Sequence, residues 1–462
     1  MLAPIEQWWT EDEIWRQYCE ELKQTTSLVS IVWVAWQMGL WIGRAIVEDQ
    51  LNTRAQLSSP WRKCRHCGRH LRSKGFEKRR MLTLVGWVKW RRRVGCCPDG
   101  CRDSREHPFD QVLEISAYQQ TSDEVRRLGC LLCVFLPFEL SSWLLRQFTG
   151  LQFESDTLWS WVQAQGRQAM TELSQQLARL STGKSPEVER LEEKIAKMTL
   201  AIGADGVKVP LRPQAKTPKG KTCWREVKIA VLARLGQRLT QTGKRVTRLY
   251  QRRLVGVLGD LKALGPRLQL EAMRQGLDQA PRVVWLSDGA PGFWKLYQHY
   301  FASVAVGVLD FYHAAGHLWR AAAAYLDGRT KEARWWFELL RHQLRHGRWS
   351  QVLRELIWAL HRPGLPTSNR QTLKQVAFYL QNHIEHIDYR KFEQMDLPLG
   401  SGMVESACKW LIQQRFKGVG MRWSEEGFNH LLHLRLAWVN GRFDNLFGNT
   451  SWTVTSPPSL NR

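Results

Sequence analysis

The chain has 462 residues, of which 44% are apolar, and a formal net charge of +24. That length exceeds a single simple core and predicts two to four domains, while the apolar content excludes a disordered chain. The charge is concentrated in two places: residues 61–93 carry thirteen Lys and Arg against the single acid Glu77, and residues 208–253 carry fourteen against Glu226 alone. Two such patches predict a polyanionic partner, and nucleic acid explains them better than general solubility does.

Residues 1–58 are expected to form a helical N-terminal region whose apolar faces carry Trp8, Trp9, Trp15, Trp33, Trp36 and Trp41. The apolar run Leu28–Ile42 is about fifteen residues long, shorter than the roughly 20 needed to cross a bilayer, which predicts a buried or dimerising helix and no membrane span. No basic leader with a small-residue cleavage site opens the sequence. Ten cysteines, several closely spaced, point to metal binding in a reducing compartment rather than to a disulfide framework, hence a cytoplasmic location.

Residues 59–115 hold the first chemistry. Cys64-Arg65-His66-Cys67-Gly68 is a CxxCG knuckle, Gly75–Val94 reads as a β-hairpin turning near Gly86, and Cys96-Cys97-Pro98-Asp99-Gly100-Cys101 follows. Tetrahedral Zn²⁺ takes four soft ligands from two turns of this kind, so the stretch reads as a zinc-ribbon-like hairpin holding Zn²⁺ on Cys64, Cys67, Cys97 and Cys101. Cys96 is an alternative to Cys97, and His66 or His107 could stand in. Residues 116–165 read as a helical region with the layout of a helix-turn-helix, opened by Asp123–Phe135 and followed by 137–150. Cys130 and Cys133 in that region sit on an apolar face and read as buried thiols. Residues 166–199 read as a linker helix broken at Ser181–Pro186.

From Leu200 the pattern changes to strands. The strands LAIGADGVKVPL, WREVKIAVLARL and RRLVGVLG are followed by a helical stretch over 260–279. Then come the strand PRVVWLSDGA, a helix over 292–301, and the strand SVAVGVLDFYH. This βββαβαβ order over 200–313 predicts a mixed sheet with the first strand central and the fourth beside it. It is a ribonuclease H-like arrangement, in which Asp205 and Asp288 become neighbours. A helical block, 314–397, precedes closing helices at 398–445 and a tail at 446–462.

The helix opened by Ser401 carries one acid, Glu405, followed only by cations: Lys409, Arg415, Lys417 and Arg422. A lone Glu–Lys pair four residues apart is ordinarily a surface pair. Here the order of elements lets this helix lay Glu405 over Asp205 and Asp288. Three carboxylates meeting there would coordinate two Mg²⁺ or Mn²⁺ ions about 3.5–4 Å apart, a set suited to in-line phosphoryl transfer. Asp310 is the rival for the second acid, and His313 would orient Asp310 or touch DNA. His317, His342 and His346 read as structural. Trp410 and Trp423 are candidates for stacking on unpaired bases. The cations expected to meet DNA are Arg79, Arg80, Arg91, Arg92 and Arg93 on the hairpin, Lys219 and Lys221 in the second patch, and Lys409, Arg415, Lys417 and Arg422.

The segments ADGVKVP, WLSDGAPGFWKL, VLDFYHAAGHL and SGMVESACKWLIQQRFKGVGMRWS resemble the DDE transposases of prokaryotic insertion sequences, of the ISKra type, relatives of Mutator-like enzymes. The likeness extends upstream through the cysteine hairpin. It implies a catalytic triad at Asp205, Asp288 and Glu405, an Asp-x-x-His element at Asp310 and His313, and an all-helical insertion before Glu405. It also implies a nucleoid-associated enzyme that cuts and joins double-stranded DNA at paired transposon ends as a homodimer or higher oligomer. The remaining alternatives are a structure-selective nuclease and a non-catalytic DNA-binding protein on the same fold.

Overall fold

The structure is a computed structural model that describes residues 12–57, 61–213, 222–243 and 245–448. Two compact units divide the chain, one ending at Trp161 and the other beginning at Val162.

The first unit opens with α1 (Glu13–Gln24), whose first turn is capped by the Asp12 carboxylate, and α2 (Leu28–Gln56), capped by the Ser27 hydroxyl. At 29 residues, α2 is twice the apolar run read from the sequence, and by length and composition it could cross a membrane. Its C-terminal half is docked on a hairpin: the Glu48 carboxylate accepts from Lys89 N–H and the Asn52 side chain from Arg91 N–H. That hairpin is β1 (Arg72–Thr83) and β2 (Gly86–Cys96), antiparallel and joined by a two-residue turn. Val88 and Trp90 of β2 are buried with Met81, Ala55 and Phe109, the last from the short helix α3 (Pro108–Val112). Helices α4 (Asp123–Phe135) and α5 (Phe138–Thr149) then lead to α6 (Ser155–Ser181), along which the unit boundary falls. Cys130 and Cys133 are fully buried in α4.

In the second unit the short helix α7 (Glu193–Ala196) precedes β3 (Thr199–Leu211), β4 (Cys223–Leu239) and β5 (Arg245–Leu258). Helix α8 (Leu261–Arg274), β6 (Val283–Ser287), α9 (Pro291–Tyr300) and β7 (Ala305–Leu309) follow. These five strands form one mixed sheet in the order β5-β4-β3-β6-β7, with β3 at the centre. Its core is continuous with a helical block made of α10 (Phe311–Leu326), α11 (Lys331–Arg345), α12 (Trp349–Leu360), α13 (Thr367–Asn382) and α14 (Tyr389–Gln394). Trp285 of β6, fully buried, stacks on Phe301 at 5.6 Å within it.

The Asp205-Gly206 pair, a common turn signal, lies within β3, because β4 runs antiparallel beside it to Leu211↔Cys223 and keeps the strand extended. Pairing with β6 stops at Ala204↔Ser287, so Asp205 is the first residue past the parallel ladder. The basic strands β4 and β5 are longer than their apolar cores, since the ladder continues through Leu239↔Arg245.

The closing segment is α15 (Gly402–Ala407), a π-helical stretch Cys408–Gln413, a last turn Gln414–Phe416, and α16 (Glu425–Val439). The sequence suggested one uninterrupted α-helix. The π segment begins three residues after Glu405 and widens the helix there, a distortion often found at functional sites.

Candidate active edge and cysteine cluster

Register brings the strand acids together. Ala204 of β3 lies beside Ser287 of β6, and Ser287 beside Leu309 of β7. The next residue on each strand is an aspartate, so Asp288 and Asp310 stand at the tips of β6 and β7, and Asp205 lies within β3 where its pairing with β6 stops, neighbouring strands being about 4.8 Å apart.

Glu405 reaches the same edge by a notch in the sheet. Residues 203 and 205 face the same side of β3. A side chain at Gly203 would meet Val404 Cγ2 at 2.5 Å and Met403 Cε at 2.9 Å, so its absence lets α15 settle on the strand two residues before Asp205. The helix then presents Glu405, whose Oε1 lies 3.6 Å from His313 Nε2. Burial pushes the Asp205 carboxyl above its ordinary pKa, and the charges of Asp288 and Glu405 add to the rise against the pull of Gly206 N–H and His313. Burial, with the charges of Asp205 and Glu405, pushes the Cys408 thiol up to about 12.

Asp310 has a different role from its neighbours. It is 1% exposed, and its Oδ2 accepts from Ser401 N–H at 2.5 Å and from the Ser401 hydroxyl at 2.7 Å. Oδ1 accepts from His313 N–H at 2.9 Å, capping α10. Both oxygens are thus spent on protein donors, which leaves Asp205, Asp288 and Glu405 as the open carboxylates. Ser401, expected to cap its own helix, instead spends its hydroxyl on Asp310. Asp288 Oδ1 accepts from Ala290 N–H at 3.1 Å. These three acids are hard oxygen donors with no Lys or Arg ion pair among the described residues, a set that fits Mg²⁺ or Mn²⁺.

The sequence missed Gly203 and Tyr379. A glycine inside a strand does signal a close backbone approach. Nothing in the sequence singled out Tyr379, which reaches the edge from α13.

In the first unit, Cys64, Cys67, Cys97 and Cys101 place their sulfurs all within 4.8 Å of one another. Tetrahedral zinc with Zn–S near 2.3 Å needs sulfurs about 3.8 Å apart. The four are therefore close enough for a metal such as zinc, and the set contains Cys97 rather than Cys96. N–H groups of Cys67 and His66 draw the Cys64 thiol down to about 6. For Cys67 the Arg69 N–H pulls down, but the neighbouring sulfurs, Cys97 first, outweigh it and push that thiol up to about 12. Four thiolates so close repel one another unless a cation sits among them.

The proposed DNA-contacting cations divide. On β2, side-chain alternation turns Arg92 inward, where it is 7% exposed and paired with Asp110. Arg79 donates to the carbonyls of Ala117, Ser116 and Gln119. Arg80 and Arg91 are exposed, and Arg91 and Arg93 lie over Phe76. Arg415 is 2% exposed and lies over the Trp423 ring, whereas Lys409, Lys417 and Arg422 are exposed. Arg92 and Arg415 are therefore corrected from surface contacts to buried structural residues. Trp423 is also buried, donating its indole N–H to the Phe416 carbonyl, and Trp410 packs on Trp438, so neither ring stands open for a base. Lys219 and Lys221 lie outside the described residues. His317 stacks on Tyr379, and His342 and His346 lie against each other as a ring pair.

No family model matches the chain, and no curated protein does. Three chains of solved structures match; one is the Drosophila P element transposase strand transfer complex, at 11% identity and a TM-score of 0.32, covering 74% of this chain and 95% of that one.

Proposed function

We propose that this chain is a DDE-type DNA transposase with a ribonuclease H-like core, which cleaves and joins DNA at the ends of an insertion sequence. The observation that carries the reading is the convergence of three remote acids: Asp205 where β3 stops pairing with β6, Asp288 at the tip of β6, and Glu405 delivered by α15 through the Gly203 notch. Asp205, Asp288 and Glu405 would hold Mg²⁺ or Mn²⁺. Metal bound there supplies Lewis-acid stabilisation for phosphoryl transfer. The chain's own residues set the geometry: Asp310 and Ser401 fix the start of α15, and His313 lies beside Glu405 to orient it or to meet a phosphate. The exposed cations Lys409, Lys417 and Arg422 would hold duplex backbone past Glu405, and the outer face of the β1–β2 hairpin, with Arg80, Arg91 and Arg93, would hold more. Zn²⁺ on the four cysteines would brace that hairpin.

The test is Mg²⁺-dependent cleavage of duplexes carrying the element's own terminal sequences. Asp288→Ala is expected to bind such a duplex as the wild type does and to cut none of it. Equal cleavage by Asp288→Ala, or cleavage of any branched junction irrespective of terminal sequence, overturns the proposal, the latter in favour of a structure-selective nuclease.

A further inference from the structure

Gly289 follows Asp288, and an Asp-Gly pair usually marks a turn that needs a left-handed glycine. Gly289 is absent from the described residues with positive φ, so the backbone does not require glycine there. Space does. A Cβ on Gly289 would meet the Tyr379 ring at 1.9 Å (Cε2) and its hydroxyl oxygen at 2.6 Å. The ring therefore lies directly over the backbone next to Asp288.

Tyr379 comes from α13, in the helical block between β7 and α15. Its ring is held from behind by His317 of α10, stacked flat at 3.8 Å and 6°. Arg320 in turn donates to a ring nitrogen of His317 at 2.6 Å. The hydroxyl is shut off from solvent; the Gly289 N–H acts on its oxygen, but the hydroxyl's own proton has no acceptor. It feels the charges of Asp288 and Asp310. A buried O–H without an acceptor is costly, and native structures seldom keep one without a use. Here Asp310 is already saturated by Ser401 and His313, whereas only one oxygen of Asp288 has a protein donor, Ala290 N–H.

We propose that Tyr379 is a positioning residue for Asp288: its hydroxyl donates to the Asp288 carboxylate through one water, and Gly289 is glycine to admit the ring. The helical block thereby sets the orientation of one acid of the edge. This inference rests on the reading of Asp205, Asp288 and Glu405 as a divalent-cation site, and it concerns a residue that reading does not use.

The experiment measures Mn²⁺ binding to the full zinc-loaded chain, without DNA, by calorimetry or by the loss of the free Mn²⁺ electron-spin signal. The wild type is compared with Asp288→Asn, Tyr379→Phe and Gly289→Ala. Groups that hydrogen-bond a ligating carboxylate typically contribute about 10–100-fold to metal affinity. Tyr379→Phe keeps the ring and its stack on His317, so it is expected to retain the wild-type melting temperature while Mn²⁺ binds about tenfold more weakly. Gly289→Ala, which displaces the ring, is expected to lose a similar factor, and the double variant no more than either alone. Wild-type Mn²⁺ affinity in Tyr379→Phe overturns the inference and leaves the acidic site standing. No difference between wild type and Asp288→Asn overturns the acidic site itself, and the inference with it.

Discussion

Ser401 gives both its backbone N–H and its hydroxyl to one oxygen of Asp310, at 2.5 Å and 2.7 Å, and so ties the start of α15 to the tip of β7. Ninety-one positions of chain separate the two residues, and the whole helical block lies between them. The contact fixes where Glu405, four residues on, can stand.

Asp310→Ala would leave a buried N–H and a buried hydroxyl without an acceptor. Hydrogen bonds to a charged group contribute roughly 1.5–3 kcal/mol each, so the loss of these two is expected to cost about 3–6 kcal/mol in denaturant unfolding. Ser401→Ala, which keeps the N–H donor, should lose about half as much. If Asp310 only supports α15, DNA binding survives in Ser401→Ala while cleavage falls.

A second ion network lies away from the edge, where Glu189 meets Arg253 at 2.6 Å and Arg442 at 2.6 Å, and Arg442 also meets Glu271 at 2.8 Å. Burial pushes the Glu189 carboxyl up, but hydrogen bonds and charge from Arg253 and Arg442 outweigh it and hold it down at about 2. An acid whose folded pKa is depressed stabilises the fold above its unfolded pKa of about 4.3 and loses that contribution as pH falls towards 2. The contribution is about 3 kcal/mol. Unfolding curves at pH 7 and pH 3 should therefore differ less in Glu189→Gln than in the wild type, and an unchanged difference would count against the network.

Zinc content separates neighbouring cysteines. The purified chain is expected to carry one Zn²⁺ by native mass spectrometry, with Cys97→Ser losing it and Cys96→Ser keeping it. Chelation should melt the hairpin region, since structural zinc contributes folding free energy directly. Retention of metal by Cys97→Ser would sink the four-sulfur assignment.

Cations on the Glu405 segment should behave in two ways. Arg422→Gln removes an exposed charge, so duplex affinity should drop uniformly across sequences and the salt dependence should flatten by about one counterion. Arg415→Gln touches a buried side chain and should cost stability, about 2–4 kcal/mol, before it alters the salt slope.

The linear order of residues was enough to read several features. The four cysteines stand in two short-spaced pairs of the kind a metal such as zinc would bridge, and that spacing is local. The strand-rich stretch after Leu200, the helices at Asp123–Phe135 and after Phe138, and the buried thiols of Cys130 and Cys133 follow from apolar periodicity, which is local too. Arg92 and Arg415 show the limit: within a run of cations, only the alternation of β2 and the packing around Trp423 select which charge turns inward. The same holds for the acids. Asp205, Asp288, Asp310 and Glu405 can each be singled out in the sequence. That Asp205, Asp288 and Asp310 fall side by side on adjacent strands depends on strand register, and that Asp310 serves Ser401 depends on where a helix lands after 91 residues. Tyr379 left no trace in the sequence at all, because its place beside Asp288 is made by the approach of two distant helices and by the missing side chain of Gly289.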